Sequence, residues 1–463
     1  MKLTGYLTID EFDAEFTFYF DETEILLTQK KKLDAKVHDN QYSFRPFKPL
    51  VYESLHARTT MGGDVYFLNV RLFQRDLIGN ELIGVCNFYI LPSTQNSFFN
   101  DFKSLIFQGK IVDKFYPPSL CLVNQYGYTA FTSETDGSKS IRIKKADDFT
   151  INKEIQIDGV TVNFVLTVRV TGKLEDSNSV GNMNSVLKLT FDSNQLVGTV
   201  ITWYNMMLRT FQFMFNRQNI DFDEITIFSL NEKNTVTKQG SFHVARKSEL
   251  SEYTKSTRDS FKYSYVIDHL DLLLPIMYDN NINMYHLPKD DTDDKFLDPK
   301  KLVFTASSFE YEFSKLKDTE IRDLNEINMV KGKIIDFIDN LDIEFRGNKK
   351  QRKILSSVKN IVNYYEKSLE VRIAEQLQRF EHLLMDLIEK TNKTYNTEGD
   401  YIEIGRSYAK ARNKNAHGAL ESYENCELAA YVIVRALVYI MILKRCGVED
   451  TYVKQIIEMH YII

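Results

Sequence analysis

Arg412, Asn413 and His417 lie within six residues of one another in the run Arg412-Asn413-Lys414-Asn415-Ala416-His417. An arginine keeps its charge at any physiological pH and grips phosphate with a planar fork of donors. A histidine titrates near neutrality and can pass protons to and from oxygens. Together they suit phosphodiester cleavage without a metal, the arginine holding the phosphate and the histidine serving as general acid or base. On an ideal helix Asn413 and His417 share a face, whereas Arg412 and His417 point about 140° apart. The pair therefore converges only if the long arginine wraps around, if the helix frays toward Gly418, or if a second copy of the chain completes the site. Ala409, Ala416 and Ala419 are small enough to let a second helix or a phosphate backbone approach that side.

The elements that would carry these residues follow from hydrophobic periodicity. From residue 257 onward the 3.6-residue period of amphipathic helices predominates, over Phe261 to Met277, Lys301 to Leu316, Glu320 to Leu341, Gln351 to Lys390, Tyr401 to Ala416 and Glu424 to Cys446. Asp298-Pro299 is a helix start, with the carboxylate as cap and proline in the first turn. The acidic stretch Asp290 to Asp294 before it reads as a solvated loop. Upstream the pattern is strand-like. Phe16 to Phe20, Glu24 to Thr28, Val65 to Leu72, Leu82 to Ile90 and Thr161 to Val170 are rich in aromatic and β-branched residues. Turn signals at Gly62-Gly63, Gly79-Asn80, Asp136-Gly137 and Asp158-Gly159 punctuate them. A helix over Val197 to Phe215 and a strand over Glu224 to Leu230 close this half, and the polar stretch Asn231 to Thr257 reads as a connection. The expected class is α+β, with a β-rich domain over residues 1–240, an antiparallel sheet or sandwich, followed by an all-α helical bundle over 257–463.

Composition narrows the functional classes. At 463 residues the chain exceeds one ordinary core, and 43% hydrophobic with 26% charged residues is the balance of a globular protein. A formal charge of -6 argues against a surface that coats nucleic acid indiscriminately, so any RNA contact must be local. The best basic cluster is Lys349, Lys350, Arg352 and Lys353, a candidate phosphate track. Asp10, Glu11, Asp13 and Glu15 are incompatible with an export leader, and Ala429 to Leu443, interrupted by Arg435, reads as a buried helix. A cytoplasmic protein with no membrane contact is expected. The four cysteines show no CxxC spacing, and no metal site or cofactor is expected. Phosphate-cradling loops, HExxH and the nucleophile elbow are absent from the sequence. His382 and Arg372 sit on regular amphipathic patterns and read as structural, Arg372 through a salt bridge within the bundle.

Four segments in order carry a resemblance. Lys301 to Glu310 ends in the step Ser308-Phe309-Glu310; Lys367-Ser368-Leu369-Glu370-Val371-Arg372-Ile373 follows; then Ala411-Arg412-Asn413 through His417; then Leu437 to Val448, closing on Leu443-Lys444-Arg445-Cys446-Gly447-Val448. In this order they resemble the "ALE"-like step, the "SLxxRL" helix, the "tRNxxxH" signature and the "LGL"-like turn of the HEPN superfamily. Within it they are most similar to the ApeA-type HEPN proteins of bacterial anti-phage defence. The aromatic run Phe211 to Phe215 before Ile225 to Phe228 resembles the N-terminal domain of the same proteins more loosely. The resemblance implies a metal-independent endoribonuclease acting as a homodimer or higher homo-oligomer, with signature helices facing across the site and a 2′,3′-cyclic phosphate as product. Arg412 and His417 would be catalytic, Asn413 would orient the histidine or bond the phosphate, Lys414 would add positive charge, and Glu310 would position the arginine. The substrate would be RNA, transfer RNA among the candidates, and a phage-derived trigger would act through the β-rich domain. Two other readings stand beside it: a HEPN fold kept as a binding or dimerisation module beside a ligand-recognising β domain, and a carbohydrate- or peptide-binding β domain with an unrelated helical tail.

Overall fold

The computed structural model describes residues 2–9, 14–30, 49–74, 81–93, 99–122, 124–125, 128–129, 131–133, 139–141, 144–171, 182–230, 235–245, 261–294, 297–316, 324–344, 348–363, 368–416 and 422–462. The chain forms two compact units, Met1–Asn281 and Ile282–Ile463. The first is built on β-strands and the second on α-helices, the α+β arrangement that the periodicities predict.

In the first unit, β1 (Lys2–Ile9), β2 (Ala14–Asp21), β3 (Glu24–Gln29), β4 (Leu50–Thr59), β5 (Asp64–Gln74) and β6 (Glu81–Val85) are hydrogen-bonded in the order β5-β4-β1-β2-β3-β6. Strand β6 then pairs back with β5, closing an antiparallel barrel. Closure is what the aromatic alternation requires: Phe16, Phe18 and Phe20 on β2 and Ile25 and Leu27 on β3 all turn into one buried core. A sandwich, one of the two expected forms, is not what these strands make.

Strand β5 also belongs to a second, open sheet, and one residue makes that possible. Tyr66 to Leu68 pair with β7 (Phe88–Pro92), whereas Arg71 to Gln74 pair with β6. Between them Asn69 adopts a left-handed conformation, φ 50°. Across it the inward positions shift from Val65 and Phe67 to Val70 and Leu72, so the strand changes face as it changes neighbour. Asparagine tolerates this region through local hydrogen bonding where most residues do not. The expected run Leu82 to Ile90 is correspondingly two strands, β6 and β7, separated at Cys86-Asn87.

The open sheet continues through β8 (Asp101–Gln108), the hairpin of β13 (Ile151–Ile157) and β14 (Val160–Thr171), β15 (Asn182–Leu196), β16 (Glu224–Leu230) and β17 (Val236–Val244), in the order β7-β17-β16-β8-β15-β14-β13. Between β8 and β13 lie α1 (Lys110–Phe115) and two small ribbons, β9 (Asn124–Gln125) with β10 (Tyr128–Thr129) and β11 (Phe131–Ser133) with β12 (Lys139–Ile141). The stretch expected as a connection from residue 231 thus contains a strand, β17. Asp158 and Gly159 both take positive φ in the β13–β14 turn, as a tight hairpin needs. Gly79-Asn80 and Asp136-Gly137 lie outside the described residues.

Helix α2 (Val200–Met214) packs on this sheet: the Trp203 ring meets Phe191 of β15 at a tilt, with centroids 4.6 Å apart. It also meets Tyr278 of α3 (Leu270–Tyr278) at 5.0 Å. Lys153 of β13 bonds Asp268 just before α3 at 2.7 Å. Residues 261–281 therefore belong to the sheet unit, and the boundary between units falls later than the expected start of the helical domain at 257. Apolar periodicity shows that a helix is amphipathic without showing which surface its apolar face covers.

The second unit holds α4, a single turn at Asp291–Asp294, then α5 (Pro299–Phe313), α6 (Leu324–Glu344), α7 (Lys349–Asn363), α8 (Leu369–Arg379), α9 (Glu381–Tyr395), α10 (Tyr401–Ala416), α11 (Asn425–Arg445) and α12 (Asp450–Ile457). Asp298 caps α5 by accepting from the Lys301 amide at 2.9 Å. The apolar period over Gln351 to Lys390 is shared among three helices, α7, α8 and the start of α9, and does not form one. Helix α11 is the buried centre. It is long and apolar enough to cross a membrane, yet 83% of its most apolar window is buried within the protein.

The Asn69 geometry makes a stability prediction. Asn69→Gly, which relieves the left-handed backbone, should leave the melting temperature unchanged or raised. Asn69→Val should lower stability by roughly 1–2 kcal/mol, measured by urea unfolding of the full chain; equal stability of the two variants would refute the assignment.

Candidate functional site

Helix α10 presents the arginine of the motif. Ile404, Ser407, Tyr408 and Ala411 form its buried stripe. At Gly405 the helix comes so close to α8 that a Cβ would lie 2.3 Å from the Glu370 carbonyl oxygen. Tyr408, fully buried, donates its hydroxyl to the Leu302 carbonyl of α5 at 2.7 Å. Burial pushes the Tyr408 phenol well above its usual pKa; Glu310 adds to the rise and Arg412 opposes it. Arg412 follows Tyr408 by one turn, at the margin of the buried stripe, and its Nη1 donates to the Asn413 amide oxygen at 3.2 Å. Its Nε is buried with no hydrogen-bond partner among the described residues.

A carboxylate partner distinguishes most arginines of the helical unit from Arg412. Arg352, Arg372, Arg406, Arg435 and Arg445 each meet one. Arg412 forms no ion pair among the described residues. A half-buried guanidinium that keeps its charge uncompensated is suited to an anion arriving from outside. Asn413 is exposed beside it. Helix α10 runs to Ala416, and His417, Gly418 and Ala419 lie outside the described residues.

The other residues of the expected site are engaged elsewhere. Lys414 Nζ is 2.9 Å from Oε1 of Glu427, a fully buried carboxylate, and 3.8 Å from Glu424. Glu424 and Glu427 form the capping box of α11, whose second carboxylate accepts from the Glu424 amide at 2.9 Å. Lys414 thus ties the end of α10 to the start of α11, and the phosphate charge expected of it is already taken up. Glu310 accepts from Arg372 Nη2 at 3.2 Å, and no hydrogen bond joins it to Arg412. Its direct partner is the arginine of α8 instead of the motif arginine. Lys349, Lys350, Arg352 and Lys353 open α7 on an exposed surface. Arg352 is held bidentately by Asp342 of α6 at 3.0 and 3.1 Å, leaving the three lysines as the outward charges of the cluster. His382 pairs with Asp450 at 2.9 Å on the surface.

Two polar features of the bundle escaped the sequence pattern. Arg435, in the middle of apolar α11 and 5% exposed, is neutralised by Asp294 of the acidic run that reads as a solvated loop. Burial alone opposes its charge, but the Asp294 carboxylate and the Tyr461 and Tyr431 phenols more than offset this and raise its pKa. His286, 1% exposed, places Nδ1 at 3.0 Å from the Asn283 carbonyl and 3.1 Å from the Ser308 hydroxyl, while Nε2 has no partner among the described residues. No local signal marks the Arg435–Asp294 or the His286–Ser308 partnership, because each joins segments that meet only through the fold. A cavity of about 280 Å³ is lined by Glu312, Lys315, Arg379, Lys444 and Arg445 among others. Its cations lie at the ends of α5, α8 and α11, where helix C-termini favour positive charge, so they are accounted for by the helices themselves.

Among the described residues no group of His, Cys, Asp and Glu side chains could hold a metal ion. All four cysteines are unpaired, and burial pushes the thiols of Cys86 and Cys446 up to about 11 and about 12. No protein-family model matches the chain, and no curated protein or solved structure matches it.

His286 provides a pH test. Its burial, reinforced by Arg435, lowers its pKa from 6.5 to about 3. The unfolded chain therefore binds a proton on this residue that the folded chain refuses. Stability should be fully present above pH 6.5 and should fall progressively toward pH 3. His286→Gln should flatten that acid limb in denaturant titrations, and an unchanged slope between wild type and variant would contradict the burial argument.

Proposed function

We propose that the helical unit is a metal-independent endoribonuclease of the HEPN type, acting in growth arrest upon phage infection, with the β-rich unit sensing the trigger or restraining the nuclease. The observation that carries this reading is the motif arginine. Arg412 rises from a helix anchored at Tyr408 and Gly405, forms no ion pair among the described residues, and stands five positions before His417.

In this reaction a base removes the proton of the ribose 2′-hydroxyl and the 2′-oxygen attacks the adjacent phosphorus. The bond to the 5′-oxygen breaks, and that oxygen takes a proton from an acid. The products are a 2′,3′-cyclic phosphate and a 5′-hydroxyl end, with no redox change. His417 would serve in the proton transfers, and the Arg412 fork would hold the phosphoryl oxygens as charge develops on them. Asn413, bonded to Arg412, would steer the guanidinium or add a donor. A second copy facing the first across α10 would supply the remaining groups, which resolves the divergence of Arg412 and His417 on one helix. Transfer RNA is a candidate substrate, and the lysines that open α7 are a candidate track for its backbone.

The test is induced expression of wild type, Arg412→Ala and His417→Ala, with and without phage, followed by sequencing of new 5′-hydroxyl RNA ends. Each substitution should lower cleavage by roughly 10²–10⁴-fold while leaving the circular dichroism spectrum intact. Arg412→Lys should remain impaired, because it keeps the charge and loses the fork. Folded wild type that leaves RNA uncut even under infection would move the unit to the class of binding modules.

A further inference from the structure

Helices α6 and α7 form an antiparallel hairpin. Arg352 meets Asp342 near the end of α6, and Lys359 meets Asp339 further along at 2.6 Å. The two helices pack mainly on each other, with few contacts from the described remainder of the bundle. Their seam uses Ile335, Ile338 and Asp342 on α6 and Arg352, Leu355 and Lys359 on α7. What lies beside the seam is unusual for a surface. Val330, Ile334 and Phe337 recur at i, i+4 and i+7 on α6, and Phe337 is 62% exposed. Ile354 and Val358 recur at i and i+4 on α7, with Ile354 57% exposed.

Both stripes stand about 100° around their helices from the seam, turned in the same rotational sense along the sequence. Because the helices run in opposite directions, the same sense on each brings the two stripes to one face of the hairpin. That face is a continuous apolar strip exposed to solvent, the type of surface that marks an interaction site. A nucleic-acid backbone has no use for it, since phosphate seeks cations and apolar rings do not supply them.

Charge identifies the occupant. With Arg352 paired to Asp342 and Lys359 to Asp339 across the seam, α7 keeps Lys349, Lys350 and Lys353, whereas residues 329–344 of α6 keep Asp336 and Glu344 against Lys331 and Lys333. A two-fold axis parallel to the helices lays α6 of one copy antiparallel over α7 of the other, so that the basic helix meets the helix that carries the carboxylates. Such an arrangement also sets Glu344 of one copy level with Lys350 of the other at both edges of the strip. The alternative axis, across the helices, would stack α7 on α7 and oppose like charges. We infer that the apolar face of the α6–α7 hairpin pairs with the same face of a second copy of this chain, forming an intermolecular four-helix bundle with that first symmetry. This contact does not depend on the nuclease reading, and it is separate from any contact through α10.

The experiment is light scattering and sedimentation velocity on the full chain over a dilution series. Phe337→Glu should lower the oligomeric state by one two-fold step, or weaken association by at least about tenfold, with an unchanged circular dichroism spectrum. Glu344→Lys and Lys350→Glu should each weaken association, and the two together should restore it, a reciprocal rescue available only when both groups come from the same chain. A monomeric wild type overturns the inference, whatever else covers the face. So does an oligomer that Phe337→Glu leaves intact, the result expected if copies join only through α10.

Discussion

A charge cannot stay buried without a partner, and Arg435 at the centre of α11 imposes that condition on the helical unit. The carboxylate that satisfies it comes from Asp294, in the single turn α4 that precedes α5. Burying one member of such a pair alone would cost several kcal/mol on the order of measured cases, so the segment before α5 is drawn against α11. Lys301 of α5 meets Asp293 at 3.0 Å and strengthens the same attachment. Helix α5 is then in place to receive the Tyr408 hydroxyl on the Leu302 carbonyl. One turn beyond Tyr408 stands Arg412. The motif arginine is therefore positioned through a chain of contacts that begins with a charge far from it in sequence.

A second buried charge works alongside the first. Glu427 has no exposure; its Oε2 accepts from the Glu424 amide in the α11 capping box and its Oε1 lies 2.9 Å from the Lys414 ammonium. The end of α10 is thus tied to the start of α11 by two ion pairs, Lys414 with Glu427 and Lys410 with Glu424, each at 2.9 Å. Lys414, which the resemblance makes a source of positive charge at the site, acts here as a strut. Arg412, by contrast, forms no ion pair among the described residues.

The β-rich unit solves a different problem, that of an antiparallel sheet too wide to leave flat. One end rolls into a barrel, which disposes of the exposed strand edges there. The other end stays open and is covered by α2 and α3. Strand β5 serves both because Asn69 lets it change face midway.

Much of this was legible in the sequence. The strand periodicity of the first half and the helical periodicity of the second predict the α+β class. Asp298-Pro299 marks the start of α5, Tyr401 to Ala416 marks the whole of α10, and the aromatic alternation on β2 marks an inner face. These are local signals, set by residues within a turn or two of each other, and they survive whatever the rest of the chain does. What the sequence left open depends on contacts between segments far apart: that the aromatic strands close into a barrel, that residues 261–281 join the sheet, that Asp294 belongs to Arg435 and Lys414 to Glu427. An acidic run reads the same whether it is solvated or reaches a buried arginine, because the desolvation that decides between them exists only once the helices have packed. The motif named the candidate chemistry; tertiary packing decided which of its charges are paired within the fold.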